Sequence, residues 1–417
     1  DEFKVNEGIE TLEIKRLGFT IPENVGMNSK VLTKIDSIAN HAISKRMTPG
    51  LQVVVARKGK VIYQKSFGNH TYESNQKVSN TDVYDIASLT KIVATLPNVM
   101  QEFDQGHLTL ETKLKTMLPE AKNSNKANAT VLDMLTHQAR FQPWIPFYKA
   151  TLDSLNRPST HFYRTEFSDD FPIHVADKLY LRKDYNDTII STILKSDLLP
   201  KKQYKYSDFT FILFKEYLEL HSKKSLEELA HTNFFEPLGA NSIMYNPLRK
   251  MNSNKIIPTE NDTYFRHQLV QGYVHDMASA MQGGISGHAG LFANALDVAK
   301  VMQMYLQKGS YGGRTYISEN TFNMFNTCYF CKEGNRRGVG FDKPQLGNEG
   351  PTCGCVSLTS FGHTGFTGTM TWADPEKEIV YVFLSNRTFP DSNATNKLSK
   401  ENIRENIQKV IYEAIIE

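Results

Sequence analysis

The sequence predicts an α+β fold, an antiparallel sheet flanked by N- and C-terminal helices with an inserted all-helical domain. Strand-like runs lie near both chain ends, at 51–56 and 61–67 and again at 369–372 and 379–384. Amphipathic helical patterns lie outside these runs. From about 105 to 350 strand signals are scarce and helical spacing alternates with long polar loops. Sheet pieces at both ends with a helical middle are satisfied when the two ends close one sheet and the middle forms a second lobe.

The first helix is read over 29–45, where Leu32, Ile35, Ile38, Ala39, Ala42 and Ile43 recur at three- and four-residue spacing, with Ser29 as cap and Pro49-Gly50 as stop. The runs 51–56 and 61–67 are separated by Arg57-Lys58-Gly59-Lys60, the pattern of a hairpin. Asp374-Pro375-Glu376-Lys377 is the turn between the last two strands. A final helix from about Ser399 presents Ile403, Ile407, Val410, Ile411 and Ala414 on one face. The expected division is an extended segment or linker over 1–28, a sheet domain from 29–110 plus 350–417, and a mainly helical insertion over 111–349. A cleft between the two lobes is the expected pocket, with the polar, aromatic-studded stretches 138–170 and 245–270 as loops over it.

Composition narrows the function. A chain of 417 residues, 40% hydrophobic and 22% charged, with 24 Phe and 19 Tyr, has the makings of a large core and not the signature of disorder. Lys+Arg of 48 against Asp+Glu of 45 leaves +3, without a basic tract, so nucleic acid is not an expected partner. Apolar runs such as Val53-Val54-Val55-Ala56 are strand-sized, far below the roughly 18 residues that cross a bilayer. The four cysteines fall within 28 residues, as Cys328-x2-Cys331 and Cys353-x-Cys355. They read as two local disulfides of an oxidising compartment or as a four-thiolate zinc site, the one-residue gap of the second pair favouring disulfides.

Chemistry enters at Ser88-Leu89-Thr90-Lys91. A serine hydroxyl attacks only when a base takes its proton, and a lysine one helical turn on returns its amine to the same face. Ser-x-x-Lys arises about twice by chance in a chain of this size, and it occurs twice here, also at Ser74-Asn75-Gln76-Lys77. Only Ser88 opens an apolar-periodic run, Leu89, Ile92, Val93, Leu96, Val99 and Met100, where helix-start N–H groups assist an oxyanion. Tyr206-Ser207-Asp208 precedes another helical run and offers a phenol and a carboxylate. Beside a lysine the phenol loses its proton more easily and serves as base. The plainer reading makes Asp208 or Ser207 a helix cap and Tyr206 a core residue. Gly362-His363-Thr364-Gly365-Phe366-Thr367-Gly368 leads into a strand and permits close backbone approach to a ligand, or is simply a Gly-rich sheet-edge turn.

In this order the three motifs resemble the serine β-lactamase and penicillin-binding protein superfamily, whose signature is Ser-x-x-Lys, Tyr-x-Asn and Lys-Thr-Gly. The likeness is to the class C β-lactamase-like branch, which includes esterases, and covers the chain from about Leu32 onward. The stretches 131–137 and 283–292 also look like segments of that branch. The resemblance implies Ser88 as acylated nucleophile, Lys91 as its proton partner and Tyr206 as base. Asp208 stands at the Asn position and His363 at the Lys position, with Thr364 and Gly365 completing the third motif. The N–H groups of Ser88 and Phe366 form the oxyanion hole. Ionised Asp208 only accepts hydrogen bonds and holds Lys91 charged, and a neutral His363 binds a carboxylate less firmly than a lysine. Weak or no β-lactamase activity is therefore expected, with other amides or esters as substrates.

The run from Tyr264 through His275-Asp276 to Phe292, with 84–88, further looks like a bacterial subset fused to or encoded beside family 3 β-N-acetylglucosaminidases. That likeness implies an exported, periplasmic module acting on muropeptides, as an N-acetylmuramoyl-L-alanine amidase or DD-peptidase would. The other readings are a small-ester carboxylesterase and a non-catalytic penicillin- or muropeptide-binding module. No cofactor and no metal are expected, because His275, His288, His363 and Asp276 lack metal-ligand spacing and no His-Glu-x-x-His occurs. His288 is read as a packed histidine. Trp144 with Phe141, Phe147 and Tyr148 lines a sugar or peptide site or belongs to the core.

Overall fold

The computed structural model describes residues 16–394 and 396–416; the rest of the expected 1–28 segment lies outside them. Its centre is a six-stranded sheet built from β1 (Gly18–Phe19), β2 (Gly50–Arg57), β3 (Lys60–Gly68), β4 (Phe361–Thr364), β5 (Met370–Asp374) and β6 (Ile379–Ser385), in the spatial order β1-β3-β2-β6-β5-β4. The two ends of the chain meet where β2 pairs antiparallel with β6, from Arg57 opposite Ile379 to Leu51 opposite Ser385. All pairings are antiparallel except the short edge strand β1, which runs parallel to β3. The hairpin turn between β2 and β3 places Lys58 and Gly59 at φ 50° and 71°, the double positive φ that a two-residue loop needs to match strand twist.

Every residue of β2 is buried because both faces of the sheet are covered. Alternation sends Leu51, Val53 and Val55 to one face and Val54 and Ala56 to the other. Against the first face pack α1 (Lys34–Ser44), through Ile35, Ala39 and Ala42, and the last long helix of the chain, Ile403–Glu413, through Ile403, Ile407, Val410 and Ile411. The expected N-terminal helix breaks at Thr33 into a single turn, Ser29–Leu32, followed by α1. Its cap is Asn28, whose Oδ1 accepts from the Val31 N–H at 3.2 Å, and not Ser29. Asn at that position outcompetes the serine because its side chain reaches the third N–H of the turn.

The second face carries the larger core. Its helices are α2 (Leu96–Asp104), α3 (Tyr185–Lys195), α4 (Phe209–Ser222) and α5 (Ala295–Leu306), with α6 being the closing helix Ile403–Glu413. Helix α5, from the middle of the chain, packs against β2, β5 and β6. Helix α4 buries Phe209, Phe211, Ile212, Leu213, Phe214, Tyr217 and Leu218, most of its circumference, and so sits inside the helical lobe. That lobe also holds strands of two to four residues, such as Tyr163–Arg164, Ile173–Ala176 and Leu179–Leu181, too short for alternation to reveal. The cysteines form two disulfides, Cys328–Cys331 and Cys353–Cys355, in the loops leading to β4. Among the described residues no helix is long and apolar enough to cross a membrane.

Ile407 is fully buried between α6 and the sheet. Ile407→Ala leaves a cavity beneath the central strands and is expected to cost about 2–5 kcal/mol, read as a lowered denaturation midpoint in urea with an unchanged slope.

Candidate active site

The segment between β3 and α2 turns sharply so that Ser88 stands in the first turn of a 3-10 helix, Ala87–Leu89, where backbone N–H groups have no intrahelical acceptor. Ala87, just before it, has φ 47°, an unusual conformation for a residue with a side chain. Surrounding contacts hold it there. The buried Asp85 carboxylate accepts from the Ala87 N–H at 2.8 Å and from the His275 N–H at 2.7 Å. From the sheet, Thr367 Oγ1 donates to Asp85 O at 2.8 Å and Thr369 Oγ1 to Ile86 O at 3.2 Å. Gly365 lies so close to this loop that a Cβ would meet Thr369 Oγ1 at 2.1 Å and Ile86 O at 2.9 Å, which explains the glycine at the end of β4.

A π-helical turn, Lys91–Thr95, links the 3-10 turn to α2 and aims Lys91 inward. Lys91 is fully buried and its Nζ donates to Ser88 Oγ at 2.9 Å and to the His288 carbonyl at 2.9 Å, while pairing with Asp208 Oδ1 at 2.7 Å. Tyr206 donates its hydroxyl to Ser88 Oγ at 3.2 Å. Ser88, Lys91, Tyr206 and Asp208 thus converge. The plainer reading of Asp208 as a cap fails, because at the start of α4 its carboxylate makes no capping bond and turns to Lys91. The neighbouring Ser207 takes the local role, accepting from the Phe209 N–H and donating to Gln142 O.

Protonation follows from burial and neighbours. Burial opposes charge on Lys91, but the Asp208 carboxylate and the Tyr206 oxygen override it and hold the ammonium above the usual lysine range. Burial also pushes the Tyr206 phenol up; Lys91 pulls it down, Asp208 raises it further, and the result is a phenol above its ordinary value. The lysine therefore does not make Tyr206 the easily deprotonated base that the sequence led us to expect. Burial, with the Arg337 and Lys91 charges, brings His363 down to about 3, so the ring is neutral. Its Nδ1 faces the Thr364 carbonyl at 2.7 Å, which can only accept, so Nδ1 carries the proton and Nε2 keeps a buried lone pair with no hydrogen-bond partner among the described residues. An acceptor cannot hold a substrate carboxylate, the role the third motif led us to expect; it suits a substrate N–H or O–H.

The cation on this side is one that sequence reasoning missed. Arg337 is buried beside Tyr206, its guanidinium carbon 5.3 Å from the ring centroid, and Nη2 donates to Tyr204 at 3.2 Å. Its Nε and Nη1 find no hydrogen-bond acceptor on the protein. An Arg336-Arg337-Gly338 triplet in a polar stretch carries no periodicity that would have singled it out. His137 was also missed as a neighbour of the site; its ring lies 4.6 Å from that of Tyr206. His288 is a packed histidine as expected, its ring held by Asp276 at 2.7 Å and Ser286 at 2.9 Å, while its carbonyl anchors Lys91.

These groups line a cleft of about 890 Å³ that also includes Thr364, Gly365 and Phe366. The Phe366 ring is half exposed, with the Arg387 guanidinium over it at 4.5 Å. The aromatic cluster divides: Trp144 and Tyr148 face the cleft, whereas Phe141 and Phe147 are buried in the core.

Fold and site together bring a serine, a lysine and a tyrosine into mutual contact where the sheet meets the helices that cover it, the arrangement of a serine-hydrolase fold. The chain belongs to the β-lactamase family, whose model matches residues 36–402. It is 27% identical over 394 residues to an Escherichia coli (strain K12) protein named "Putative D-alanyl-D-alanine carboxypeptidase", covering 88% of this chain and 84% of that one. It is 27% identical over 395 residues to the Bacillus subtilis (strain 168) N-acetylmuramyl-L-alanine amidase, covering 88% and 83%. In fold it is similar to a class C β-lactamase, with a TM-score of 0.65 at 14% identity, over 94% of this chain and 98% of that one.

Because the charge of Asp208 raises both Lys91 and Tyr206, Asp208→Asn is expected to lower both. Activity that needs either group deprotonated rises with pH, and in this variant the rise should move to lower pH. A pH profile of kcat/KM for wild type and variant checks it.

Proposed function

We propose that the protein cleaves an amide or ester through an acyl intermediate on Ser88, with a peptidoglycan-derived muropeptide as substrate. One observation carries the reading: the Ser88 hydroxyl oxygen lies within hydrogen-bond reach of both the Lys91 ammonium and the Tyr206 phenol. In the resting site both donate to Ser88 Oγ, so attack requires the form in which one of them has lost its proton. Ser88 then passes its proton to that group, its oxygen bonds to the substrate carbonyl carbon, and the leaving nitrogen or oxygen takes the proton back. The N–H groups of Ser88 and Phe366 are assigned to the developing oxyanion; that of Phe366 makes no hydrogen bond within the protein. Water attacks the ester in a second step with the same groups in reverse.

The substrate class rests on the cleft. Its volume is at the upper end for small-ligand sites and exceeds what a short ester needs. One flank offers Trp144, Tyr148 and Tyr264, surfaces on which a sugar or peptide stacks. The same cleft offers Arg336, Arg337, Arg387 and Arg404. Arg336 is bound to Asp342 through two nitrogens at 3.0 and 3.1 Å, but Arg337 retains free donors. Burial and the nearby Arg404 bring Arg387 down to about 10, the mark of a cation short of a neutralising partner. An acidic sugar-peptide suits both the aromatic and the cationic groups, and the names of the two relatives point the same way. Release of such fragments by a β-N-acetylglucosaminidase would supply the substrate, and two disulfides fit an exported, oxidising location.

The test is an intact-mass measurement after incubation with an N-acetylmuramoyl-L-alanyl peptide, an acyl-D-Ala-D-Ala peptide, a short acyl ester and a penicillin. Muropeptide cleavage, with an adduct located on Ser88 and absent in Ser88→Ala, is expected; penicillin turnover should be slow. Ester turnover with muropeptides left intact replaces this reading by a carboxylesterase. Saturable muropeptide binding without any adduct replaces it by a non-catalytic binding module.

A further inference from the structure

The two helices that leave the site meet again at their far ends. Helix α2 runs away from Ser88 and Lys91, and α4 runs away from Tyr206 and Asp208 for about 20 Å, given 1.5 Å per residue. There Glu102 near the end of α2, His107 in the turn after it and His221 near the end of α4 come together. Glu102 Oε2 lies 3.1 Å from His107 Nδ1 and 3.5 Å from His221 Nε2. One ligand-type atom from each of the three falls within 4.8 Å of the others. The two imidazole rings face each other with centroids 4.6 Å apart.

This is an unusual set for a metal-free surface. Without a metal, only His107 can donate to Glu102 Oε2 at hydrogen-bond distance, and His221 Nε2 at 3.5 Å is left with a longer contact to the same atom. A divalent cation resolves this by taking a lone pair from each ring and one from the carboxylate. The Tyr217 hydroxyl already donates to Glu102 Oε2 at 2.9 Å, the kind of outer hydrogen bond that orients a ligating carboxylate. Glu102 is largely buried, with 12% of its side chain exposed, whereas His107 and His221 are 42% and 43% exposed. The site therefore has a fixed floor and an open side where water completes the shell. Two nitrogens and one oxygen match zinc and its transition-metal neighbours; calcium and magnesium require oxygen ligands.

We propose that Glu102, His107 and His221 form a Zn²⁺ site that clips the distal ends of α2 and α4 together. No motif spacing discloses it, because Glu102 and His107 are five residues apart and the third ligand comes from another helix. Its place gives it a purpose: a clip there fixes the two helices whose opposite ends hold the serine-lysine and tyrosine-aspartate pairs. The site takes no part in the chemistry at Ser88, and it stands whether or not the hydrolase reading does.

The experiment uses untagged, chelator-stripped protein titrated with ZnCl₂ in a calorimeter, with thermal melts at each ratio and MgCl₂ as control. Binding of one equivalent, a melting temperature that rises and saturates with zinc but not magnesium, and slowed amide exchange in the last turn of α4 are expected. His107→Ala, His221→Ala and His221→Gln should each weaken zinc binding at least tenfold; the histidines are partly exposed, so these variants keep the fold. Ser88→Ala should bind zinc as the wild type does. Absence of zinc binding, or binding unchanged in the His107 and His221 variants, overturns the proposal.

Discussion

A fully buried ammonium must be paired, and the pairing of Lys91 with Asp208 governs the rest of the site. Stripping one partner from such a pair costs about 3–5 kcal/mol, because the other charge is left in a low-dielectric interior. Lys91 is satisfied by three separate stretches of chain: Ser88 one turn away, the His288 carbonyl in a Gly-rich loop, and Asp208 at the head of α4. None of the three can move without exposing that charge. Ser88, Tyr206 and the helical lobe are therefore held in register by one electrostatic requirement, and the same requirement fixes the proton inventory. A carboxylate at this position stabilises the ammonium, so the resting site is the protonated one, and reactivity depends on how far pH or substrate can empty it.

The sheet supplies the second constraint. The loop that carries Ser88 is strained at Ala87, and strain persists only where the surroundings over-determine the conformation. Here the over-determination comes from the turn between β4 and β5, through Thr367 and Thr369, and from the carboxylate of Asp85. Gly365 is the condition for that approach, since any side chain would push the strand from the loop. The pairing of the chain ends across β2 and β6 thus does more than bury Val53 to Ala56. It brings a glycine from position 365 against Ile86 and Ala87 in the loop that carries Ser88, contacts that local sequence could never close.

What the sequence disclosed and what it withheld divide along that line. Period-2 and period-3.6 patterns revealed β2, β3, β5, β6 and both terminal helices, since each buries one face or is bounded by recognisable turns. The serine-lysine pair was legible because its spacing is one helical turn, and Tyr206 and His363 because small motifs precede an apolar run. Arg337, His137 and the His288 carbonyl were not, because their roles come from tertiary placement and a backbone carbonyl has no sequence signature. The phenol's protonation was misjudged for a related reason. Adjacency to a lysine is visible in a motif, but the burial that outweighs it is a property of the whole lobe. Capping by Asn28 and not Ser29 is the same lesson at smaller scale, two adjacent polar residues separated only by which side chain reaches the N–H.

The distribution of acids and bases around the cleft explains how a neutral histidine can stand at the lysine position of the Lys-Thr-Gly signature. The carboxylates along this wall are largely answered by the protein itself: Asp342 by Arg336 and Arg337, Asp276 by His288, Glu260 by His275. Burial works against each ionised acid, yet these partners hold all three below the usual carboxylate range. What is least answered among the described residues is positive: Arg337, whose Nη1 has no hydrogen bond and whose Nε is only loosely paired with Asp342 at 3.6 Å, and Arg387 above Phe366. The charge a lysine would have concentrated beside the serine is thus displaced outward, onto Arg337 against Tyr206 and Arg387 against Phe366. A displaced charge leaves His363 free to accept, so the wall presents an acceptor near the scissile bond and cations farther out. Such a wall suits a ligand whose N–H or O–H lies at the reacting centre and whose acidic groups lie beyond it.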